Sequence, residues 1–192
     1  MDGKLSYTVS GAGSPLFLLH GNGEDRTIFK AQTAAFSAYR RVIAVDTRGH
    51  GQSPRGSAPF TLAQFARDLE GLMDDLGIPR ADLLGYSDGG NVALLFALAH
   101  PERVRSVIVS GANLRPLGMK PGVWLDIAAR YAFWGAVSPF FSGAARKKEL
   151  YGLMAVQPHI SPKKLRTLTA PVLVIAGTRD VIREGHTRRI AA

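Results

Sequence analysis

The chain has 192 residues, 46% hydrophobic and 20% charged, the composition of a single ordinary globular domain and not of a disordered, collagenous or coiled-coil chain. It contains no cysteine, which excludes disulfides, Cys-ligated zinc, iron–sulfur clusters and thiol nucleophiles. The net charge of +9 is uneven: residues 1–142 hold 14 Lys/Arg against 12 Asp/Glu, and residues 143–192 hold 10 against 3. No aromatic-basic RNA motif accompanies the basic third, so a solvated face is expected there and no nucleic-acid partner.

From the amino terminus, Met1-Asp2-Gly3-Lys4 has no apolar h-region behind it, so a secretory leader is not expected and a cytoplasmic location is. Leu5–Val9 alternates like a strand, and Pro15–Leu19 is a continuous apolar run, as a strand buried on both faces requires. The spacing predicts a helix over Asp25–Tyr39, a strand over Arg41–Val45 and a loop over 49–60. A helix then opens at Thr61, with Gln64 three residues on as in a capping box. Its Leu62, Phe65, Leu69, Leu72 and Leu76 fall on one stripe, and Gly77 and Pro79 stop it. Ala81–Gly85 reads as a strand, Asp88–Ala99 as a helix and Val104–Val109 as a strand. Pro171–Ala176 is the last strand, with a helix beginning near Arg183.

Residues 112–168 break the alternation and carry aromatic residues through helix-like stretches. They are expected to form a helical cap inserted into a single domain, 1–192. Val123–Phe141 is interrupted by Asp126, Arg130 and Pro139, which argues against a membrane span. Strands alternating with helices imply a mainly parallel sheet with ligands at the carboxyl ends of its strands. That directs attention to His20-Gly21-Asn22, Asp46-Thr47-Arg48, Ser87, Gly111-Ala112-Asn113 and Asp180.

Gly85-Tyr86-Ser87-Asp88-Gly89 fits G-x-S-x-G. The short pattern is weak alone, but here a strand precedes it and a helix follows. A serine on that turn presents its hydroxyl at the sheet edge, where the helix start supplies free N–H groups and a positive dipole end. The turn after Pro15–Leu19 can aim the Asn22 amide at the same place as the Asp88 amide. Asp180 stands at a strand end, where a carboxylate can orient an imidazole; the lesser alternative is a helix N-cap.

With His20-Gly21-Asn22-Gly23, Asp46 to Ser53, Gly85 to Gly90, His100 to Val104 and Pro171 to Asp180 in this order, the chain resembles the α/β-hydrolase superfamily over nearly its whole length. Ser87 to Gly90, with Ser110-Gly111-Ala112-Asn113, is similar to the branch containing valacyclovir hydrolase. The resemblance implies Ser87 as nucleophile, Asp180 as acid, Asn22 and Asp88 as oxyanion amides, residues 112–168 as cap, and no metal or organic cofactor. It implies hydrolysis of a small-molecule acyl substrate, a carboxylic ester, lactone or related compound. Serine at the elbow argues against the aspartate-nucleophile dehalogenases and epoxide hydrolases of this fold.

One element departs from the pattern. The family places its histidine after a further strand beyond the acid, whereas 12 residues follow Asp180 and a parallel crossover alone uses about 10–12. The last strand and helix are therefore expected to be absent, and the base with them, leaving an impaired enzyme. Of the five histidines, His186 is the candidate replacement base; His20, His50 and His100 read as structural and His159 as a cap residue. The alternative is a non-catalytic ligand-binding protein on this fold. Strand Pro171–Ala176 would be an uncovered edge, open to self-association. Finally, the Asp88 side chain either sits at its helix start for the dipole alone, or faces the pocket and pairs with a cationic group such as the amine of an amino-acid ester.

Overall fold

The computed structural model describes residues 4–192; Met1, Asp2 and Gly3, on which the leader reading partly rests, lie outside the described residues. In chain order the chain forms β1 (Tyr7–Ser10), β2 (Pro15–Leu19), α1 (Lys30–Phe36), β3 (Arg41–Val45), α2 (Leu62–Asp75), β4 (Ala81–Tyr86), α3 (Asp88–Ala99) and β5 (Val104–Ser110). There follow α4 (Pro121–Val137), α5 (Ala144–Val156), α6 (Pro162–Leu165), β6 (Val172–Ile175) and α7 (Glu184–Ala191). The sheet order is β1-β3-β2-β4-β5-β6, with β1 antiparallel and every other pair parallel. This is the α/β architecture that the alternating elements imply.

The apolar runs explain the sheet. Phe17, Leu19, Ile43 and Val45 face the larger core, together with α2 and α3. Their neighbours Leu16, Leu18, Val42 and Ala44 face the other side, under Phe29 and Phe36. Strands covered on both faces need both sets apolar, hence continuous runs instead of alternation. The α2 stripe is buried as its spacing requires, and Thr61 accepts the Gln64 amide at 3.1 Å. Gln64 does not complete the box; its side chain donates to Asp68 instead.

The helix expected over Asp25–Tyr39 is shorter. Asp25 accepts the Thr27 amide at 2.8 Å and winds Arg26–Phe29 into a 3-10 turn, leaving Lys30–Phe36 as the α-helix. Between β5 and β6, α4 and α5 pair as a hairpin with their own small apolar cluster around Met119, Ile127 and Ala155. Pro162–Leu165, by contrast, packs back on α3 and α7. No helix among the described residues is long and apolar enough to cross a membrane.

β6 ends the sheet. Val172 and Val174 reach the larger core, whereas Leu173 is 54% and Ile175 46% exposed on the opposite face.

Candidate active site

The turn from β4 into α3 is the most constrained backbone in the chain. Ser87 has φ of +52°, the sole non-glycine residue at positive φ among the described residues. Such a conformation costs about 1–3 kcal/mol and persists only where its surroundings hold it. Here the Ser87 amide donates to Ser110 O at 2.8 Å, and Ser87 O accepts the Gly90 and Asn91 amides. The flanking glycines are needed for space. A Cβ on Gly89 would stand 2.0 Å from Leu19 O, and one on Gly85 would stand 2.3 Å from Gly89 O. The elbow can therefore exist only because helix, β2 and β4 approach backbone to backbone.

The turn after β2 lies against it, with Gly21 so close that a Cβ there would come 3.1 Å from Ser87 Cβ. Glu24 fixes this turn by accepting the Gly21 amide at 3.0 Å. The Asn22 and Asp88 amides donate to no protein group among the described residues, and Ser87 Oγ likewise has no partner there. Asp180 follows β6, and β4, β5 and β6 are mutually parallel, so Asp180 and Ser87 share the carboxyl edge of the sheet. Gly111 sits between them: a Cβ there would lie 3.5 Å from Asp180 Oδ2 and 3.7 Å from the Tyr86 ring. The Asp180 carboxylate accepts the Ile182 amide at 2.9 Å through Oδ1.

No histidine hydrogen-bonds Ser87 Oγ among the described residues, although His20 and His50 line the crevice with Asn22 and Asp88. His20 Nδ1 donates to Gly21 O at 2.7 Å and its Nε2 accepts the Thr47 amide at 3.0 Å. His100 faces Glu70, and His159 lies by Trp124 and Leu117 at the outer side of the cap. His186 does not fill the replacement-base role expected of it. Its Nε2, the nitrogen a base would use, accepts the Leu114 amide at 2.8 Å, and its ring packs on Gly118, where a Cβ would come within 2.5 Å. Burial, with Arg183 and Arg189 nearby, lowers its pKa further. The ring packs against residues 114–118, to which α7 turns back.

A second feature was not legible in the motifs. Asp88 is buried; its Oδ1 accepts from Asn91 Nδ2 at 3.2 Å, while Oδ2 has no partner. Burial raises its pKa to about 6, against the opposing Asn91 hydrogen bond. Two more unpartnered buried atoms, Asn22 Oδ1 and His50 Nε2, belong to residues lining the same crevice. Their chemistry follows from their other atoms. Asn22 Nδ2 donates to Leu150 O at 2.6 Å, which leaves Oδ1 as acceptor. His50 Nδ1 lies 3.1 Å from Arg48 O, which can only accept, so Nδ1 carries the proton. Burial, then His20 and Arg146, lower the His50 pKa to about 4, so the ring is neutral and Nε2 offers a lone pair. All three orphans are acceptors. In this arrangement Leu153 of α5 closes the crevice, leaving no room for a water. Asn91 is the residue sequence reasoning missed. It donates to Asp88 and to Asn113 Oδ1, and accepts the Asn113 amide at 3.0 Å, tying the loop after β5 to α3. A buried asparagine beside Val92-Ala93-Leu94 was the available signal.

The model of the α/β hydrolase fold matches residues 14–152. The chain belongs to this family. It is 40% identical over 111 residues to a 2-hydroxymuconate semialdehyde hydrolase of a Pseudomonas species, covering 54% of this chain and 38% of that protein. The first curated relatives are matched over only 32–42% of their own length. Among solved structures, the chain is similar to an enol-lactonase from Burkholderia xenovorans, with TM-score 0.77, 27% identity, and 97% of this chain and 83% of that one covered. A hydrolase from Pseudomonas aeruginosa has TM-score 0.75 and 28% identity, over 97% of this chain and 81% of that one.

Proposed function

We propose that the chain carries the acyl-transfer half of a serine hydrolase for carboxylic esters, lactones or related acyl compounds. Ser87 attacks the acyl carbon, the Asn22 and Asp88 amides receive the oxyanion, and Asp180 orients the imidazole that moves the protons. The observation that carries this is the strained Ser87 turn beside two unengaged amides. A strained serine with free donors next to it is costly unless the site uses both. Because no histidine hydrogen-bonds Ser87 Oγ among the described residues, attack by Ser87 through this chain's own residues is slowed by orders of magnitude.

The experiment is labelling with a fluorophosphonate, with and without imidazole. Slow labelling at Ser87, accelerated by imidazole and lost in Ser87→Ala, supports the reading. Equal labelling of Ser87→Ala refutes it. The second reading is a non-catalytic ligand-binding protein; Ser87 left unlabelled even with imidazole would favour that one.

The substrate class follows from the orphan acceptors. A carboxylate, an imidazole lone pair and an amide oxygen line one crevice and would accept from the three N–H donors of an ammonium group. An α-amino ester or amide would place that group beside its scissile carbonyl, once Leu153 withdraws with α5. Hydrolysis of an α-amino ester should exceed that of its uncharged isostere, and Asp88→Asn should abolish the preference. An unchanged ratio of the two kcat/KM values would limit Asp88 to its place at the helix start.

A further inference from the structure

The cap presents an unusual helix. α4 is apolar on nearly all sides, yet its packing partners are α5 and the turn at 116–118, with Ile127 its one buried residue. A helix apolar all round is normally covered all round. Its outer face carries Leu125, Ala129, Phe133, Ala136 and Phe140 at helical spacing, all exposed, and Phe140 is 79% and Phe141 65% exposed at the tip beyond the helix. Such a continuous exposed patch marks an interaction surface.

Charge selects the partner. Residues 112–168 hold nine Lys/Arg and two Asp/Glu. Both acids are paired, Asp126 with Arg130 and Glu149 with Arg55. Lys163, Lys164 and Arg166 belong to α6 and its end, away from this face, and Arg146 is turned to Gly49 O; beside the stripe the exposed unpaired cations are Lys147 and Lys148, with no free carboxylate. Lys147 Nζ lies 4.2 Å over the Trp134 ring, which itself packs edge-on to Phe133 with centroids 5.0 Å apart, so a cation sits directly alongside the stripe. Lys148 is exposed next to it. A second copy of this chain would bring the same net positive charge against itself. A straight apolar stripe with an aromatic tip and adjacent lysines fits a flat, anionic, apolar-cored surface.

We propose that the outer face of α4 and the Phe140–Phe141 tip form a docking surface for anionic lipid membranes, along which α4 lies in the interfacial plane. The tip and stripe insert between acyl chains while Lys147 and Lys148 reach the headgroups. This proposal rests on the cap surface and is independent of the catalytic reading.

The test is co-sedimentation with vesicles of phosphatidylcholine alone and of phosphatidylcholine mixed with phosphatidylglycerol, at low and high salt. The protein should partition onto the mixed vesicles, much less onto the neutral ones, and less in salt. Lys147→Glu/Lys148→Glu and Phe140→Asp/Phe141→Asp should each lower partitioning more than about tenfold, two lysines near an anionic surface being worth about 1 kcal/mol each. Lys163→Glu/Lys164→Glu, on α6 away from this face, changes charge equally and should leave the insertion-dependent binding largely intact. Thermal unfolding of each variant separates lost binding from lost fold: the side chains changed are exposed, so midpoints should not move. The proposal is overturned if wild type ignores the mixed vesicles, if neutral vesicles bind equally, or if the α6 variant loses as much as the cap variants. It is also overturned if sedimentation shows a dimer that Phe133→Asp dissociates.

Discussion

The buried Asp88 carboxylate gives the sharpest numerical expectation. Its pKa is about 6 in the folded chain against 3.8 for an unperturbed aspartate. A carboxylate with a raised folded pKa destabilises the fold above that pKa, and the penalty is relieved as pH falls toward the unfolded value. The difference of about two units corresponds to about 3 kcal/mol at pH 8, and to less than about 1 kcal/mol at pH 4. In Asp88→Asn the charge is gone. The new amide can keep its oxygen toward Asn91 and turn its N–H groups toward the acceptors at His50 and Asn22, both of which line the crevice. The variant should therefore unfold about 6–12 °C higher than wild type at pH 8, taking about 2–4 °C per kcal/mol for a chain of this size. The advantage should shrink to a degree or two near pH 4. Differential scanning fluorimetry of both proteins from pH 4 to 8 measures it. A stabilisation independent of pH would mean that Asp88 is not held in a desolvating site. No stabilisation at pH 8 would mean that its second oxygen has a partner, and the argument for an ammonium subsite would lose its base.

His50 has the opposite sign. Its pKa is lowered to about 4 by burial, so its neutral ring favours folding fully above pH 6.5 and the fold loses about 2–3 kcal/mol as pH falls to about 4; His50→Gln should flatten that acid limb in urea titrations, and an unchanged limb would refute the assignment. Gly89→Ala should cost at least about 3 kcal/mol, since its Cβ would meet Leu19 O at 2.0 Å and that atom is backbone; a soluble variant with the wild-type unfolding midpoint would show that the elbow can relax. Leu173→Lys/Ile175→Lys should abolish concentration-dependent self-association in light scattering, because both side chains are exposed on the terminal strand of the sheet. A wild-type protein that stays monomeric at high concentration would sink that expectation.

The sequence by itself determined the architecture and marked the strand ends where a candidate site would sit. Short apolar runs bounded by turn residues, such as Pro15–Leu19 and Arg41–Val45, point to strands covered on both faces, as they are, and the glycines around Ser87 mark a place where no side chain fits. These are local signals, set by side-chain period and by the size of one residue. Tertiary structure decided what the side chains at that address face. Asp88, Asn22 and His50 are distant in sequence, and whether their spare atoms find partners depends on how α5 settles over the turns after β2 and β3. His186 shows the same limit. Its place near Asp180 in sequence suggested a base, but α7 turns its ring onto Gly118 and the Leu114 amide. Spacing along a chain specifies which face of its own helix a residue occupies; which distant loop that face meets is fixed only when the cap packs.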